Sequence, residues 1–239
     1  MIRNLLILLT ITFSPFAVAQ SDDKSVVVME LFTSQGCSSC PPADELLEEI
    51  KNSYENNNVF VLSYHVDYWN RLGWKDPFST EAFSDYQRVY ARQFNSRSIY
   101  TPQLVINGSE HFTGSNRAKA FAAIEKYTQS GKSNTIKISD LKKDNNKIVL
   151  AYDVNGEDFN QITIALVVAK RITEIGRGEN RNRTLTNANI VANRLILQQK
   201  TRLVELSIPD WVNASDELTI IAYTQNDQLA TNGATKINI

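Results

Sequence analysis

The chain of 239 residues holds two cysteines, and they stand three positions apart in Cys37-Ser38-Ser39-Cys40. Thiols at this spacing on a first helical turn are close enough to bridge. A C-x-x-C between an apolar strand and a helix is also the setting in which the motif carries redox chemistry. The two sulfurs are expected to be unequal. Cys37 is placed at the helix entry, where unpaired N–H groups and the positive end of the helix dipole favour a thiolate, and Cys40 one turn inside, shielded. Pro41 suits a first turn, whose N–H groups have no partners in any case, whereas Pro42 is expected to distort it. The chemistry such a pair performs is thiol–disulfide exchange: Cys37 attacks a substrate disulfide and Cys40 resolves the mixed disulfide, with no metal and no organic cofactor. The same two thiols also suit an inert bridge or half of a metal site. The histidines, His65 and His111, have spacings unlike those of paired zinc knuckles.

Other residues near this motif have chemistry to offer. Glu30 is an acid in an otherwise apolar strand, suited either to moving protons on and off Cys40 or to a rim position. His65, Asp67, Tyr68, Trp69 and Trp74 crowd the end of the next strand and the loop after it. In open α/β sheets such strand ends face the binding crevice, and Trp69 and Trp74 are assigned to substrate contact. Arg171, Arg177, Arg181, Arg183 and Arg194 surround a polar stretch too long for mere connection. It reads as a solvated loop, or as one that docks on the first half or grips an acidic partner.

These residues need elements to position them. Residues 1–19 read as a signal peptide, with Arg3 before the apolar run Leu5 to Phe13 and Ala17-Val18-Ala19 as the cleavage site. No later segment is long and apolar enough to span a bilayer. From residue 20 to 131 strand and helix patterns alternate. Ser25 to Phe32 and Val59 to His65 read as strands. Leu46, Leu47, Ile50 and Tyr54 mark a first helix, and Phe83, Tyr86, Tyr90 and Phe94 a second. Gln103 to Ile106 and a strand through Phe112 flank the hairpin signal Asn107-Gly108, and Ala118, Phe121, Ala122 and Ile124 mark a last helix. The expected order is β-α-β-α-β-β-α. Residues 132–239 show strand patterns only, at Thr135 to Ser139, Lys147 to Val154, Gln161 to Lys170, Leu195 to Gln199, Arg202 to Ile208 and Leu218 to Tyr223, which suggests a separate all-β, sandwich-like domain. The boundary falls at Ser130-Gly131-Lys132-Ser133.

The C-x-x-C together with Tyr100-Thr101-Pro102-Gln103, placed between the second helix and the hairpin, resembles the thioredoxin superfamily over roughly residues 25–130. The resemblance implies an α/β thioredoxin-like N-terminal domain, redox-active Cys37 and Cys40, a cis Pro102 packed on the disulfide, and Thr101 as the residue whose backbone binds substrate. Thioredoxins place an Asp six residues before the first cysteine. Glu30 stands seven before Cys37, so equating the two requires a bulge. The string Glu30-Leu31-Phe32-Thr33-Ser34-Gln35-Gly36-Cys37-Ser38-Ser39-Cys40-Pro41-Pro42, with Tyr68-Trp69 and Trp74-Lys75-Asp76-Pro77-Phe78, is similar to one secreted bacterial branch known only as a domain of unknown function.

Composition bounds the partners. With 25 Lys+Arg against 26 Asp+Glu the formal charge is −1, which supplies no basic surplus for nucleic acid. The first half carries the acidic excess and the second a basic one. The expected protein is secreted or periplasmic, exchanges protein or peptide disulfides with the help of a separate redox partner, and oligomerises, if at all, through its C-terminal half. The alternatives are a copper-binding or delivery module that uses the thiols, and a non-catalytic binding or assembly protein.

Overall fold

A computed structural model describes residues 25–55, 58–129, 134–156, 158–198 and 203–239. The expected signal peptide and the expected boundary at 130–133 lie outside them. The described residues form eleven strands and three α-helices. In the first half these are β1 (Val27–Thr33), α1 (Pro41–Ser53), β2 (Val59–His65), α2 (Glu81–Gln93), β3 (Gln103–Ile106), β4 (Glu110–Thr113) and α3 (Arg117–Thr128). The second half adds β5 (Thr135–Asp144), β6 (Lys147–Asn155), β7 (Gln161–Glu174), β8 (Thr184–Leu197), β9 (Leu203–Ser207), β10 (Leu218–Gln225) and β11 (Thr231–Asn238).

The sheet topology overturns the expected fold class. An α/β thioredoxin-like domain followed by a separate β-sandwich requires two sheets divided by sequence. Instead, one mixed eight-stranded sheet runs β11-β10-β7-β8-β2-β1-β3-β4 and takes strands from both halves, leaving a three-stranded sheet β5-β6-β9 beside it. The seam is β2 against β8, parallel, with Ser63 opposite Ile190. Asn189 of β8 reinforces it by donating its side-chain amide to the Val61 carbonyl at 2.9 Å. Residues 184–194 of β8 read as part of a polar stretch in the sequence because Thr184, Thr186, Asn187, Asn189 and Asn193 interrupt the apolar pattern. Asn187 and Asn189 find hydrogen-bond partners in neighbouring elements, so their polarity does not prevent strand formation. The expected long loop shrinks to residues 175–183.

Alternation along the strands distributes the core. Val27, Met29 and Leu31 of β1 pack with Leu46, Leu47 and Ile50 of α1 and Ile124 of α3. Val28 and Phe32 point the other way, to Phe83, Tyr86 and Tyr90 of α2, in a cluster that extends to Val167 and Tyr223 of the second half. Ile164, Leu166 and Val168 face Ile148, Leu150 and Leu206 of the small sheet. The halves are joined again at the β3–β4 turn. Asn107 and Gly108 both have positive φ, the type I′ geometry of an Asn-Gly hairpin. A Cβ at Gly108 would lie 1.8 Å from the Leu229 carbonyl oxygen, so only glycine fits. No helix among the described residues is long and apolar enough to cross a membrane.

Candidate functional site: a disulfide over a buried polar network

Cys37 and Cys40 form a disulfide. Their placement differs by one step from the expected one: the helix proper starts at Pro41, Cys40 is its N-cap, and Cys37 lies in the preceding turn. The turn is closed by Cys37 N–H to Ser34 O at 3.1 Å and Cys40 N–H to Cys37 O at 3.2 Å. Neither cysteine is therefore inside the helix. Pro41 and Pro42 occupy the first two helical positions, where no N–H partner is required, and the helix continues unbroken to Ser53.

Both cysteines are fully buried, while Ser38 and Ser39 between them are exposed. The cover over Cys37 comes from the segment before β3. Thr101 Oγ1 donates to Cys37 Sγ at 3.3 Å and accepts from Trp69 Nε1 at 2.8 Å. Ser39 Oγ lies 3.4 Å from the same sulfur. The Thr101–Pro102 peptide is cis, and the Pro102 carbonyl accepts from Gly114 N–H at 2.9 Å. Of the residues singled out in the sequence, the structure thus gathers Cys37, Cys40, Thr101, Pro102 and Trp69. Trp74 stands a layer further back and donates through Nε1 to Gln35 Oε1 at 3.1 Å.

Glu30 is not brought to the sulfurs. Its position in β1 turns it to the α2 side, where it accepts from Tyr86 at 2.8 Å, from Tyr223 at 2.7 Å and from Tyr90. Burial raises its pKa against the opposing pull of these hydroxyls and of Arg194. Tyr223 on β10 and Arg194 on β8 belong to the second half, so this cage pins the halves together.

The carboxyl group one turn beyond Cys40 is Asp44, a position the sequence reading passed over. Asp44 N–H bonds to Cys40 O at 3.2 Å, and Thr33 Oγ1 donates to Asp44 Oδ2 at 3.1 Å. Asp44 Oδ1 is buried with no hydrogen-bond partner among the described residues, as is Nε2 of His65. Burial pushes the Asp44 pKa up from 3.8 to about 7, with His65 and the Thr33 hydroxyl pulling the other way. His65 Nδ1 pairs with Asp76 Oδ2 at 2.7 Å. Burial lowers the His65 pKa, but the charges of Asp76 and Asp44 and the Asp76 hydrogen bond outweigh it, and the net shift is upward. Asp76 Oδ2 also accepts from Gln35 N–H at 2.8 Å, and the Gln35 amide donates to Asn187 Oδ1 and Thr173 Oγ1, both at 3.0 Å. The turn that carries Cys37 is thus held from beneath by side chains from β7, β8 and the β2–α2 segment.

The second half reaches the motif directly as well. In the 175–183 loop, buried Asn180 donates its amide to Gln35 O and to Cys37 O, each at 2.9 Å, and Glu179 accepts from Ser38 N–H at 3.1 Å. The sequence signal that existed for this was the length and charge of the loop; nothing in it singled out Asn180. His111 is remote from this network and bonds with Tyr100 and Gln103. Among the described residues, no group of three or more His, Cys, Asp or Glu side chains is arranged to hold a metal ion.

Residues 28–225, which span the disulfide, the network beneath it and the loop over it, match the DUF1223 family, described as protein of unknown function. The chain belongs to that family. DUF1223 therefore takes in both halves, consistent with a sheet that neither half completes alone. The crystal structure of a protein from Agrobacterium tumefaciens is similar to this chain, with a TM-score of 0.65 and 25% identity over 89% of this chain and 94% of that one. No match was found among curated proteins.

Proposed function

We propose that this DUF1223 protein catalyses thiol–disulfide exchange on proteins or peptides outside the cytoplasm. The observation that carries the reading is the disulfide itself, set at the N-cap of α1 with the Thr101 hydroxyl on Cys37 and the Asp44 carboxyl a turn beyond Cys40. An affinity with thioredoxin-like proteins is proposed for this constellation of Cys37, Cys40, Thr101 and Pro102, and for nothing in the sheet. Secretion by the signal peptide at residues 1–19 is part of the same proposal, since stable disulfides belong to oxidising compartments.

In the reduced protein, Cys37 thiolate attacks one sulfur of a substrate disulfide. The Cys37–substrate bond forms and the other substrate sulfur leaves as thiolate. Cys40 then loses its proton to Asp44 and attacks Cys37 Sγ; the second substrate thiolate is released and the Cys37–Cys40 bond is restored. The substrate is reduced and the dithiol oxidised, and a thiol or disulfide redox partner resets the pair. The oxidising direction reverses the same steps. Asp44 suits the transfer because a carboxyl group titrating at about 7 is partly ionised at neutral pH and exchanges protons in both directions.

The enclosure of both sulfurs favours a second reading, an inert cross-link that closes the turn. Trapping separates the two. Reduced Cys40→Ser protein mixed with a disulfide-bonded peptide should accumulate a mixed disulfide through Cys37, detected by mass spectrometry, and Cys37→Ser should accumulate far less. Exchange by the wild-type protein no faster than by an unstructured dithiol peptide would leave the cross-link reading.

A further inference from the structure

We infer that the exchange site selects substrate segments with acidic residues flanking the reacting cysteine. The inference deepens the exchange reading and rests on it. Two loops form the rim beside the disulfide, the 175–183 loop and the segment after β2 that contains a 3-10 turn at Asn70–Leu72. They touch each other: a Cβ at Gly178 would lie 3.1 Å from Trp74 Cβ and 3.5 Å from Leu72 O. Both are tied to the turn that carries Cys37, one by Asn180 and Glu179, the other by Trp74 on Gln35 and by Asp76 on the Gln35 N–H.

The acids of these loops are tied by hydrogen bonds, and four of their bases are not. Asp76 is buried against His65, the Asp67 carboxylate accepts from Ser84 Oγ, and Glu179 accepts the Ser38 N–H. Arg71, Lys75, Arg177 and Arg181 are exposed, and none has an ion-pair or side-chain hydrogen-bond partner among the described residues. Several other surface cations are paired, Arg117 with Glu49, Lys126 with Glu110, Lys147 with Glu205 and Lys170 with Glu48. Arg92, Arg97, Lys119 and Lys142 are exposed and have no ion pair among the described residues, but they lie outside these two loops. Exposed Glu45, Glu174 and Glu179 are three acids against these four bases and Arg183. In a chain whose formal charge is −1, these two loops bring a cationic excess to the turn that carries Cys37. Leu72, 44% exposed next to Arg71, adds an apolar contact for a bound segment. A field of this sign raises the encounter rate of acidic segments and repels basic ones, and salt weakens both effects.

The test uses three disulfide-bonded peptides of equal length whose flanking residues are acidic, neutral amide or basic, mixed with the reduced full-length mature protein at low and at high salt. The expected result at low salt is exchange about tenfold faster with the acidic than with the neutral peptide and slower still with the basic one, the spread shrinking at high salt. Arg177→Glu combined with Arg181→Glu should invert the order of the acidic and basic peptides, with folding checked by a thermal melt. Equal rates for the three peptides in the wild type, or an order that survives charge reversal, would overturn the inference while the neutral peptide still reports exchange. Failure of all three peptides to exchange would defeat the exchange reading and this inference with it.

Discussion

Replacing Asp44 by asparagine removes the buried carboxyl group one helical turn after Cys40 and leaves the side chain's shape almost unchanged. The structure gives the size of the effect. Asp44 titrates at about 7 in the fold against 3.8 in the unfolded chain, and each unit is worth about 1.4 kcal/mol, so ionising it in place costs about 4 kcal/mol. The sign follows from proton binding. Between these two values the folded state holds the proton that the unfolded state has released, so stability falls as pH rises from about 4 to about 7 and stays low above it. His65 acts in the same direction. Its pKa is raised above 6.5, so its contribution is complete below that value and lost as pH climbs through the folded one. An asparagine amide does not ionise. Asp44→Asn should therefore be nearly neutral at about pH 4 and stabilising by up to about 4 kcal/mol at about pH 8. Guanidinium denaturation of the oxidised protein at the two pH values reads the difference without interference from cysteine titration. The same variant, reduced, should lengthen the lifetime of the mixed disulfide at least about tenfold, since the proposed acceptor of the Cys40 proton is gone. A gap between wild type and variant that is the same at both pH values would refute the buried, proton-holding Asp44, and an unchanged mixed-disulfide lifetime would refute its part in exchange.

Thr101→Val removes the hydroxyl that donates to Cys37. It should raise the Cys37 thiol pKa by about one unit, the worth of a hydrogen bond to a charged group, seen in the pH dependence of iodoacetamide alkylation; an unshifted profile would show that the hydroxyl does not hold the thiolate. Asn180→Ala leaves the carbonyls of Gln35 and Cys37 without their donor in a buried place and should cost about 2–4 kcal/mol in denaturant unfolding, with faster proteolysis in the 175–183 loop. Unchanged stability would mean that the loop is not docked on the motif. Glu30→Gln should destabilise the protein, because an amide cannot accept from three tyrosines as a carboxyl group does, yet leave the mixed-disulfide lifetime within about twofold. A lengthening like that of Asp44→Asn would return the proton transfer to Glu30.

Local elements were legible because their causes are local. The spacing of Leu46, Leu47 and Ile50 marks the buried stripe of α1, and Asn107-Gly108 dictates its own turn because both residues tolerate positive φ. The cysteines were legible as chemistry because few residue types perform it, and Thr101-Pro102 through the family resemblance. The reading failed wherever a polar residue found its partner far away in the chain. Asn187 and Asn189 weaken a strand pattern in the sequence, yet in the fold they bond to Gln35 and Val61, and the strand they belong to joins the two halves. Glu30 and Asp44 are both acids near the motif. Where each one points is set by the face of β1 that meets α2 and by the turn of α1 that meets Thr33 and His65.

By itself the sequence determined the C-x-x-C pair and the helix that follows it, since each depends on residues within a few positions of one another, and the cover by Thr101, 64 positions away, was expected only from the family resemblance. Only the tertiary structure decided that the turn carrying Cys37 rests on His65, Asp76, Asn187 and Asn180, the farthest of them 152 positions from Gln35. It also decided that a single mixed sheet with strands from both halves carries the site. The reason is the cost of burying polar groups. A buried amide or carboxyl group must be satisfied by whichever element the core brings to it, and that choice is made by packing the whole chain at once.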